Sequence, residues 1–145
     1  MKLFTIGFNK KSAEEFFSKL KAAKVKRLID IRLSNSSQLA GFTKKDDLRY
    51  FAKAICNIDY LHQPELAPSE EIFTSFKKEK GDYRVFERQF LSLMKTRRIE
   101  KMFSPELFDG GCLLCSEETP DHCHRRLVAE YLKEHWKKLE IEHIP

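Results

Sequence analysis

The sequence has no apolar run that approaches the roughly 18 residues of a membrane-spanning helix. Its first residues, Met1 to Gly7, are too short and too polar at their flanks for a signal peptide. Glycine and proline are scarce, with five of each, and there is neither a linker-like tract nor an internal repeat. We therefore expect one cytosolic domain over residues 1–145, with no membrane contact.

Cysteine is also scarce, with four residues in the chain. In a reducing compartment, such cysteines are more often free thiols or metal ligands than members of structural disulfides. We therefore expect thiols or a metal here, and no disulfide framework.

The charge balance is basic, because 27 Lys and Arg stand against 22 Asp and Glu and give a net charge of +5. This excess favours polyanionic partners without requiring them. For any single basic pair, such as Arg125-Arg126, a solvated surface is the simpler explanation. Apolar residues make up 41% of the chain, which excludes an intrinsically disordered protein.

Hydrophobic periodicity alternates between strands and helices along the chain. Ser12 is expected to cap a first helix that ends near Ala23, Thr43 to open a second, and Thr119-Pro120 to start a long last one. Residues 68–103 are expected to be mostly helical. The five predicted strands cover Leu3–Gly7, Arg27–Arg32, Tyr60–His62, Gly111–Cys115 and Leu139–Ile144.

Strands separated by helices of this length predict an α/β fold: one three-layer α/β/α domain with a mainly parallel, Rossmann-like, five-stranded sheet. In open sheets of this kind, ligands bind beyond the carboxyl ends of the strands. The candidate functional residues therefore follow the first four strands, at Gly7 to Asn9, Asp30 to Arg32, His62 to Glu65, and Cys115 to Glu117.

Two pairs of polar residues stand at these strand ends. Asp30 and Arg32 share one face of their strand, about 6.5 Å apart along it, and a simple ion pair would explain both. His62 and Glu65 flank the rigid Gln63-Pro64 turn. This turn either positions Glu65 as an acid or base or is an ordinary chain reversal.

The densest polar segment runs from Cys115 to Arg126. With Thr119 as the cap, a helical projection places His124 within the apolar stripe, Cys123 and Arg125 on its flanks, and Arg126 toward solvent. A helix amino terminus favours anions, so this position suits substrate binding.

Each of these residues also has a structural explanation. His124 could be a core histidine that is hydrogen-bonded to a backbone carbonyl. Arg125 could be the partner of Glu117 or Asp30.

A metal site is the next alternative, because Cys112, Cys115, Cys123 and His124 would supply four soft ligands. Two geometric arguments oppose it. Cys112 and Cys115 point to opposite faces of a strand, and the adjacent Cys123 and His124 diverge by about 100° around a helix. We therefore expect no bound metal, and the sequence identifies no cofactor.

A covalent mechanism is also open. Cys115 or Cys123 could be a nucleophile with His124 or His62 as its base. Cysteines in such positions are, however, more often small core residues.

Four motifs carry a family resemblance. They are Thr5-Ile6-Gly7; Asp30-Ile31-Arg32 with Phe42; Tyr60 to Leu66; and Leu113 to Glu117 followed by Pro120 and Cys123 to Leu127. In this order they resemble the domain of unknown function 488 family over nearly the whole chain. The resemblance implies an α/β fold but no reaction. Two features depart from the family pattern. The loop after Arg32 is not basic, and Ala67 stands where relatives tend to have glycine. Both departures weaken the case for phosphate binding by residues 33–42.

The sequence thus predicts an enzyme or ligand-dependent protein that acts on an anionic substrate, a nucleotide or a nucleic acid. Asp30, Glu65, Cys115, Glu117 and His124 are its candidate catalytic residues, and Arg32, His62, Cys123 and Arg125 its candidate substrate-binding residues. The alternative is a non-catalytic nucleic-acid-binding module, or an accessory protein, that uses the basic surface. Salt-dependent binding without turnover would favour the module, and a compact pocket of titratable groups favours the enzyme.

Overall fold

Five parallel strands form one sheet in the computed structural model, which describes residues 1–34, 41–77, 81–117, 120 and 123–145. The order across the sheet is β3-β2-β4-β1-β5, and every neighbouring pair is parallel. The predicted α/β architecture is confirmed. The strands are β1 (Lys2–Gly7), β2 (Arg27–Asp30), β3 (Asp59–His62), β4 (Gly111–Cys115) and β5 (Glu140–His143).

Helices connect the strands, and those in the described ranges are α1 (Ala13–Ala22), α2 (Lys45–Phe51), α3 (Glu70–Lys77), α4 (Tyr83–Arg97), α5 (Ile99–Met102), α6 (Pro105–Phe108) and α7 (His124–His135). Ser12 caps α1 as predicted, since its hydroxyl accepts a hydrogen bond from the Glu15 N–H. Among the helices of the described residues, none is long and apolar enough to cross a membrane.

The predicted start of the second helix is wrong. Thr43 ends a short 3₁₀ turn, and α2 begins at Lys45 without a side-chain cap. The reason is that Thr43 is fully buried and gives its carbonyl oxygen to the Arg32 guanidinium at 2.8 Å. Its local pattern suited a cap, but the tertiary contact decides its place.

The predicted start of the last helix is also wrong. Helix α7 begins at His124, with Cys123 as its N-cap in an extended conformation. Thr119 lies outside the described residues. Pro120 lies in a bend, and its carbonyl oxygen accepts a hydrogen bond from the Cys123 N–H, so Pro120 is not the first residue of the helix.

The two faces of the sheet bury separate apolar clusters. The first, which we call the α1 face, combines Cys112 and Leu114 of β4 with side chains of α1 and α2. The second, the α7 face, combines Leu113 and Cys115 of β4 with side chains of α4 and α7. Alternation along the strand therefore separates Cys112 from Cys115, as strand geometry requires.

Candidate functional site

Asp30 and Arg32 form a buried ion pair at the end of β2. Arg32 Nε and Nη2 each donate to one carboxylate oxygen of Asp30 at 2.8 Å. The Tyr60 hydroxyl also donates to Asp30. Asp30 is 0% and Arg32 5% exposed, and Arg32 Nη1 has no hydrogen-bond partner in the part of the chain that the structure describes. Asp30 thus holds Arg32 in place, while Nη1 of Arg32 keeps a donor that none of the described residues accepts.

Of the two candidate residues at the end of β3, only His62 contacts the Asp30–Arg32 pair. His62 Nε2 donates to the Arg32 carbonyl oxygen at 2.9 Å, which fixes the chain just after β2. Glu65 is exposed, and its own carbonyl accepts from Arg97 Nη1 at 2.7 Å. The structure therefore brings His62 to the Asp30–Arg32 pair and leaves Glu65 outside this group.

Arg125 is completely buried between β1 and β4. Its Nη1 donates to the Glu117 carbonyl oxygen at 2.6 Å and to Cys115 Sγ at 3.3 Å, and its Nε to Thr5 Oγ1 at 3.4 Å. Burial lowers the pKa of Arg125 to about 10. Arg125, which the projection placed on the flank of the apolar stripe, is thus part of the core.

A glycine allows this close packing. A Cβ atom on Gly7, at the end of β1, would lie 1.6 Å from the Glu117 carbonyl oxygen and 2.8 Å from Arg125 Nη1. Only a residue without a side chain fits here.

Arg126 is not directed to solvent as the projection predicted. Its guanidinium donates to the Tyr83 hydroxyl and to the Glu130 carboxylate, both at 3.0 Å, and only 22% of the side chain is exposed. The projection considered one helix alone and did not include α4, whose Tyr83 and Glu87 lie against the Arg126 side chain. Arg126 instead joins α7 to α4.

His124 donates Nε2–H to the carbonyl oxygen of Ile31 at 2.6 Å. Burial lowers the pKa of His124 to about 4, so the imidazole is neutral at neutral pH. A carbonyl oxygen only accepts hydrogen bonds, so Nε2 carries the proton and Nδ1 carries the lone pair. Nε2 is thus engaged in the structural hydrogen bond that the sequence suggested, whereas the Nδ1 lone pair can still act as a base or a ligand.

Cys115 and Cys123 form a disulfide, which corrects the expectation of thiols or a metal. The extended N-cap backbone of Cys123 brings its side chain to the end of β4. While the disulfide persists, neither residue is a nucleophile. Cys56 and Cys112 are free, and burial raises the pKa of the Cys112 thiol.

One argument against a metal site is also wrong. The Cys115 and Cys123 sulfurs and a ring nitrogen of His124 all lie within 4.8 Å of one another. Cys123 precedes the helix, so the expected divergence of 100° from His124 does not occur.

A cavity of about 270 Å³ opens at the carboxyl ends of β2 and β4. Five of the residues predicted from the sequence line it: Arg32, Cys115, Glu117, Cys123 and His124. Asp30 and His62 contact Arg32, and Arg125 contacts Cys115 and Glu117, so these three support the lining.

The family model for the domain of unknown function DUF488 matches residues 12–132 of the 145-residue chain. The chain belongs to the DUF488 family. No curated protein and no solved structure matches it. The resemblance in the sequence motifs is therefore confirmed, and all cavity residues of this DUF488 protein lie within the matched region, whereas Gly7 precedes it.

The sequence did not reveal the aromatic wall of the cavity in this DUF488 protein. Phe73 and Phe76 of α3 and Phe86 of α4 line it, and the Phe76 and Phe86 rings stack with centroids 4.7 Å apart. Their helical spacing is that of ordinary core residues, so no local signal separates the two roles. Lys77 also lines the cavity, where its Nζ lies 2.8 Å from Glu117 Oε1.

A larger groove of about 800 Å³ lies between α3 and α4. It is lined by side chains such as Glu70, Ser75 and Arg88 and by none of the predicted site residues. The smaller cavity is therefore the candidate functional site of this DUF488 protein.

Proposed function

We propose that this protein binds a small anionic molecule with a planar ring, of the nucleotide class, and acts on it as a cytoplasmic enzyme or ligand-dependent protein. The carrying observation is that one cavity at the carboxyl edge of the sheet combines stacked aromatic rings with Arg32, Lys77 and His124. Rings offer a surface for a base, and cations offer partners for a phosphate.

The size of the cavity favours a monomeric ligand. Its volume of about 270 Å³ lies just below the roughly 300–1,000 Å³ of pockets for drug-sized molecules. A polynucleotide would need an open, charged groove instead. A mononucleotide therefore fits better than a nucleic-acid strand.

Arg32 is the proposed anchor for the anion. Asp30 and the Thr43 carbonyl hold its guanidinium in place, so little entropy is lost on binding. Nη1 is buried without a partner among the described residues, and an anionic ligand would supply an acceptor. Lys77 is a weaker contributor, because its ion pair with Glu117 is 39% and 37% exposed and therefore screened.

Proton transfer falls to the groups that line the cavity. The neutral imidazole of His124 presents a lone pair at Nδ1, and Glu117 is the one carboxylate among the described lining residues. Asp30 is a positioning residue for Arg32 in this proposal. Glu65 is exposed and does not line the cavity, so it has no part in it.

Calorimetric titration tests the proposal with the four 5′-mononucleotides, adenosine and inorganic phosphate. We expect at least one mononucleotide to bind more tightly than phosphate or adenosine, because only it offers both chemistries. Chromatography of the incubated nucleotide then distinguishes an enzyme from a ligand-dependent protein. Absence of binding by all four nucleotides at about millimolar concentration overturns the proposal.

A matched pair of variants locates the site. Arg32→Lys keeps the charge but removes the planar fork, so we expect affinity to fall about tenfold or more. Arg27→Lys makes the same change at the amino end of β2, where Arg27 binds the Leu107 and Asp109 carbonyls, and should leave affinity unchanged. Equal losses from both variants would contradict the assignment.

The nucleic-acid-binding module is an outcome of the same experiment. A single-stranded oligonucleotide that binds with a steep salt dependence, while mononucleotides do not bind, would establish it. Arg32→Lys and Arg27→Lys would then weaken binding to similar extents.

A further inference from the structure

We propose that the reduced form of this protein binds one thiophilic divalent ion of the Zn²⁺ class through Cys115, Cys123 and His124. The site shares the cavity and His124 with the proposed nucleotide site, and with the ion bound Nδ1 is a ligand and Glu117 is the remaining proton-transfer group. Metal binding by the reduced protein is measured without nucleotide, so the two proposals can fail separately. It reverses the expectation that the sequence supports, because the geometric objection to pairing Cys123 with His124 does not apply.

The three donors already lie together. The two sulfurs and a ring nitrogen of His124 are within 4.8 Å of one another, and tetrahedral zinc with bonds of about 2.3 Å to sulfur and 2.0–2.1 Å to nitrogen keeps its ligand atoms roughly 3.5–3.8 Å apart. Once the disulfide is opened, small side-chain rotations place all three around one ion. Cys112 takes no part, since it lies on the α1 face.

His124 is oriented as metal-binding histidines usually are. Its Nε2–H is bound to the Ile31 carbonyl oxygen at 2.6 Å, so Nδ1 is the nitrogen left to coordinate. A hydrogen bond from the second ring nitrogen to a carbonyl or carboxylate fixes the tautomer and the ring direction of a ligand histidine. The structure therefore supplies the outer contact as well as the donor.

The charges also balance. Two thiolates neutralise a divalent ion, so the buried group carries no net charge. Arg125 Nη1, at 3.3 Å from Cys115 Sγ, offers a hydrogen bond to the thiolate that forms there.

The fourth coordination position faces the cavity. Cys115, Cys123 and His124 all line it, together with Ser116 and Glu117. Three protein ligands with one open position are the arrangement of catalytic zinc sites, whereas structural sites use four. A water or a ligand atom would occupy the open position.

Binding depends on the redox state. A dithiol reductant transfers two electrons and two protons to the Cys115–Cys123 disulfide and becomes a disulfide itself. The ion then displaces both thiol protons and forms two metal–sulfur bonds. Reoxidation by a small disulfide reverses these steps and releases the ion.

Cobalt titration of the full chain tests the proposal without a variant. The reduced protein, confirmed by mass to carry four thiols, should bind about one Co²⁺ and develop a thiolate-to-cobalt charge-transfer band with tetrahedral d–d bands. The disulfide form should bind none. Absence of these bands in the reduced protein, or equal binding by both forms, overturns the proposal.

Protection from alkylation identifies the ligands. In the reduced wild-type chain, Zn²⁺ should slow iodoacetamide labelling of Cys115 and Cys123 and leave the labelling of Cys56 unchanged, as mapped by mass spectrometry. Zinc that protects all cysteines equally, or none, would contradict this site.

Substitutions complete the test. Cys115→Ser and Cys123→Ser should lose the charge-transfer band, and His124→Gln should weaken Co²⁺ binding about tenfold or more by removing a ligand. Cys56→Ser and Cys112→Ala, whose cysteines lie outside the site, should bind as the wild type does. Retention of the full band in either Cys115→Ser or Cys123→Ser counts against the assignment.

Discussion

Cys112 and Cys115 lie three residues apart on β4, and their surroundings show how the two faces of the sheet differ. Cys112 is a buried free thiol on the α1 face, packed among phenylalanine and leucine side chains. Cys115, on the α7 face, is bonded to Cys123, accepts from Arg125 and lines a cavity. The same residue type is a free core side chain in one place and a disulfide-bonded side chain that lines a cavity in the other.

The difference arises from what each face packs against at its carboxyl end. On the α1 face, the Phe16 and Phe17 rings, 5.0 Å apart, extend an apolar core. On the α7 face, α7 begins with polar residues at the sheet edge, and α3 and α4 leave a cavity there. The contrast between the two faces therefore depends on where a helix begins.

The largest effect is expected from Gly7→Ala, which fills the closest contact on the α7 face. The new methyl group would overlap the Glu117 carbonyl, a backbone atom that cannot rotate away. We expect a loss of at least about 4 kcal/mol in the free energy of unfolding, measured by urea denaturation. Gly41→Ala, where an added Cβ meets nothing within 4 Å, is the control and should change stability by less than about 0.5 kcal/mol.

Arg125 and Arg126 are adjacent but differ in role: Arg125 is buried in the core, and Arg126 joins two helices. Arg125→Ala removes hydrogen bonds to Glu117 and Cys115 and leaves a void, so it should cost about 3 kcal/mol in the free energy of unfolding. Arg126→Ala removes partly screened contacts with Tyr83 and Glu130 and should cost less than about 1 kcal/mol. Similar costs in denaturation experiments would show that the two arginines are not differently placed.

Acid should weaken the α7 face through His124. Its folded-state pKa of about 4 lies below the ordinary 6.5, so its contribution is complete above pH 6.5 and is lost as the pH falls toward 4. For the disulfide form without metal, we expect about 2 kcal/mol less stability at pH 5 than at pH 7 from this group.

Denaturation of His124→Gln at both pH values isolates that contribution. Its amide can still donate to the Ile31 carbonyl but does not titrate, so the difference between the two pH values should shrink by about 2 kcal/mol. His135→Gln, at the far end of α7, should keep the wild-type difference. An unchanged difference in His124→Gln would mean that another group causes the acid sensitivity.

The smallest effect is expected on the α1 face. Cys112→Ala removes one buried sulfur and should cost about 1 kcal/mol in urea denaturation, without altering nucleotide affinity. Altered affinity would show that the two faces are coupled through β4 and do not act separately.

The sequence predicted the elements whose signals are local. Strand β4 agrees with its prediction because Gly110 and Gly111 mark its start and an apolar run defines its length. Ser12 was identified as a cap because its hydroxyl bonds to a backbone N–H only three residues further along the chain. The Asp30–Arg32 ion pair was one of the weighed alternatives because both residues lie on the same strand end.

Features that depend on several elements could not be predicted in the same way. The Cys115–Cys123 bond requires an extended Cys123, but the Thr119-Pro120 signal indicated a helix there. The complete burial of Arg125 depends on the space that Gly7 leaves on a strand far away in sequence. In both cases a tertiary contact overrides a local preference.

The strand order has a consequence for how this chain reaches its native state during synthesis. Strand β1 lies between β4 and β5, so Phe4 finds its neighbours at Cys112 and Glu142. Such distant pairings carry a large loop-closure entropy and are associated with slow folding. We expect β1 to emerge from the ribosome first and to remain unpaired until β4 follows. A nascent chain released before β4 has emerged would therefore expose a strand edge and become a substrate for chaperones.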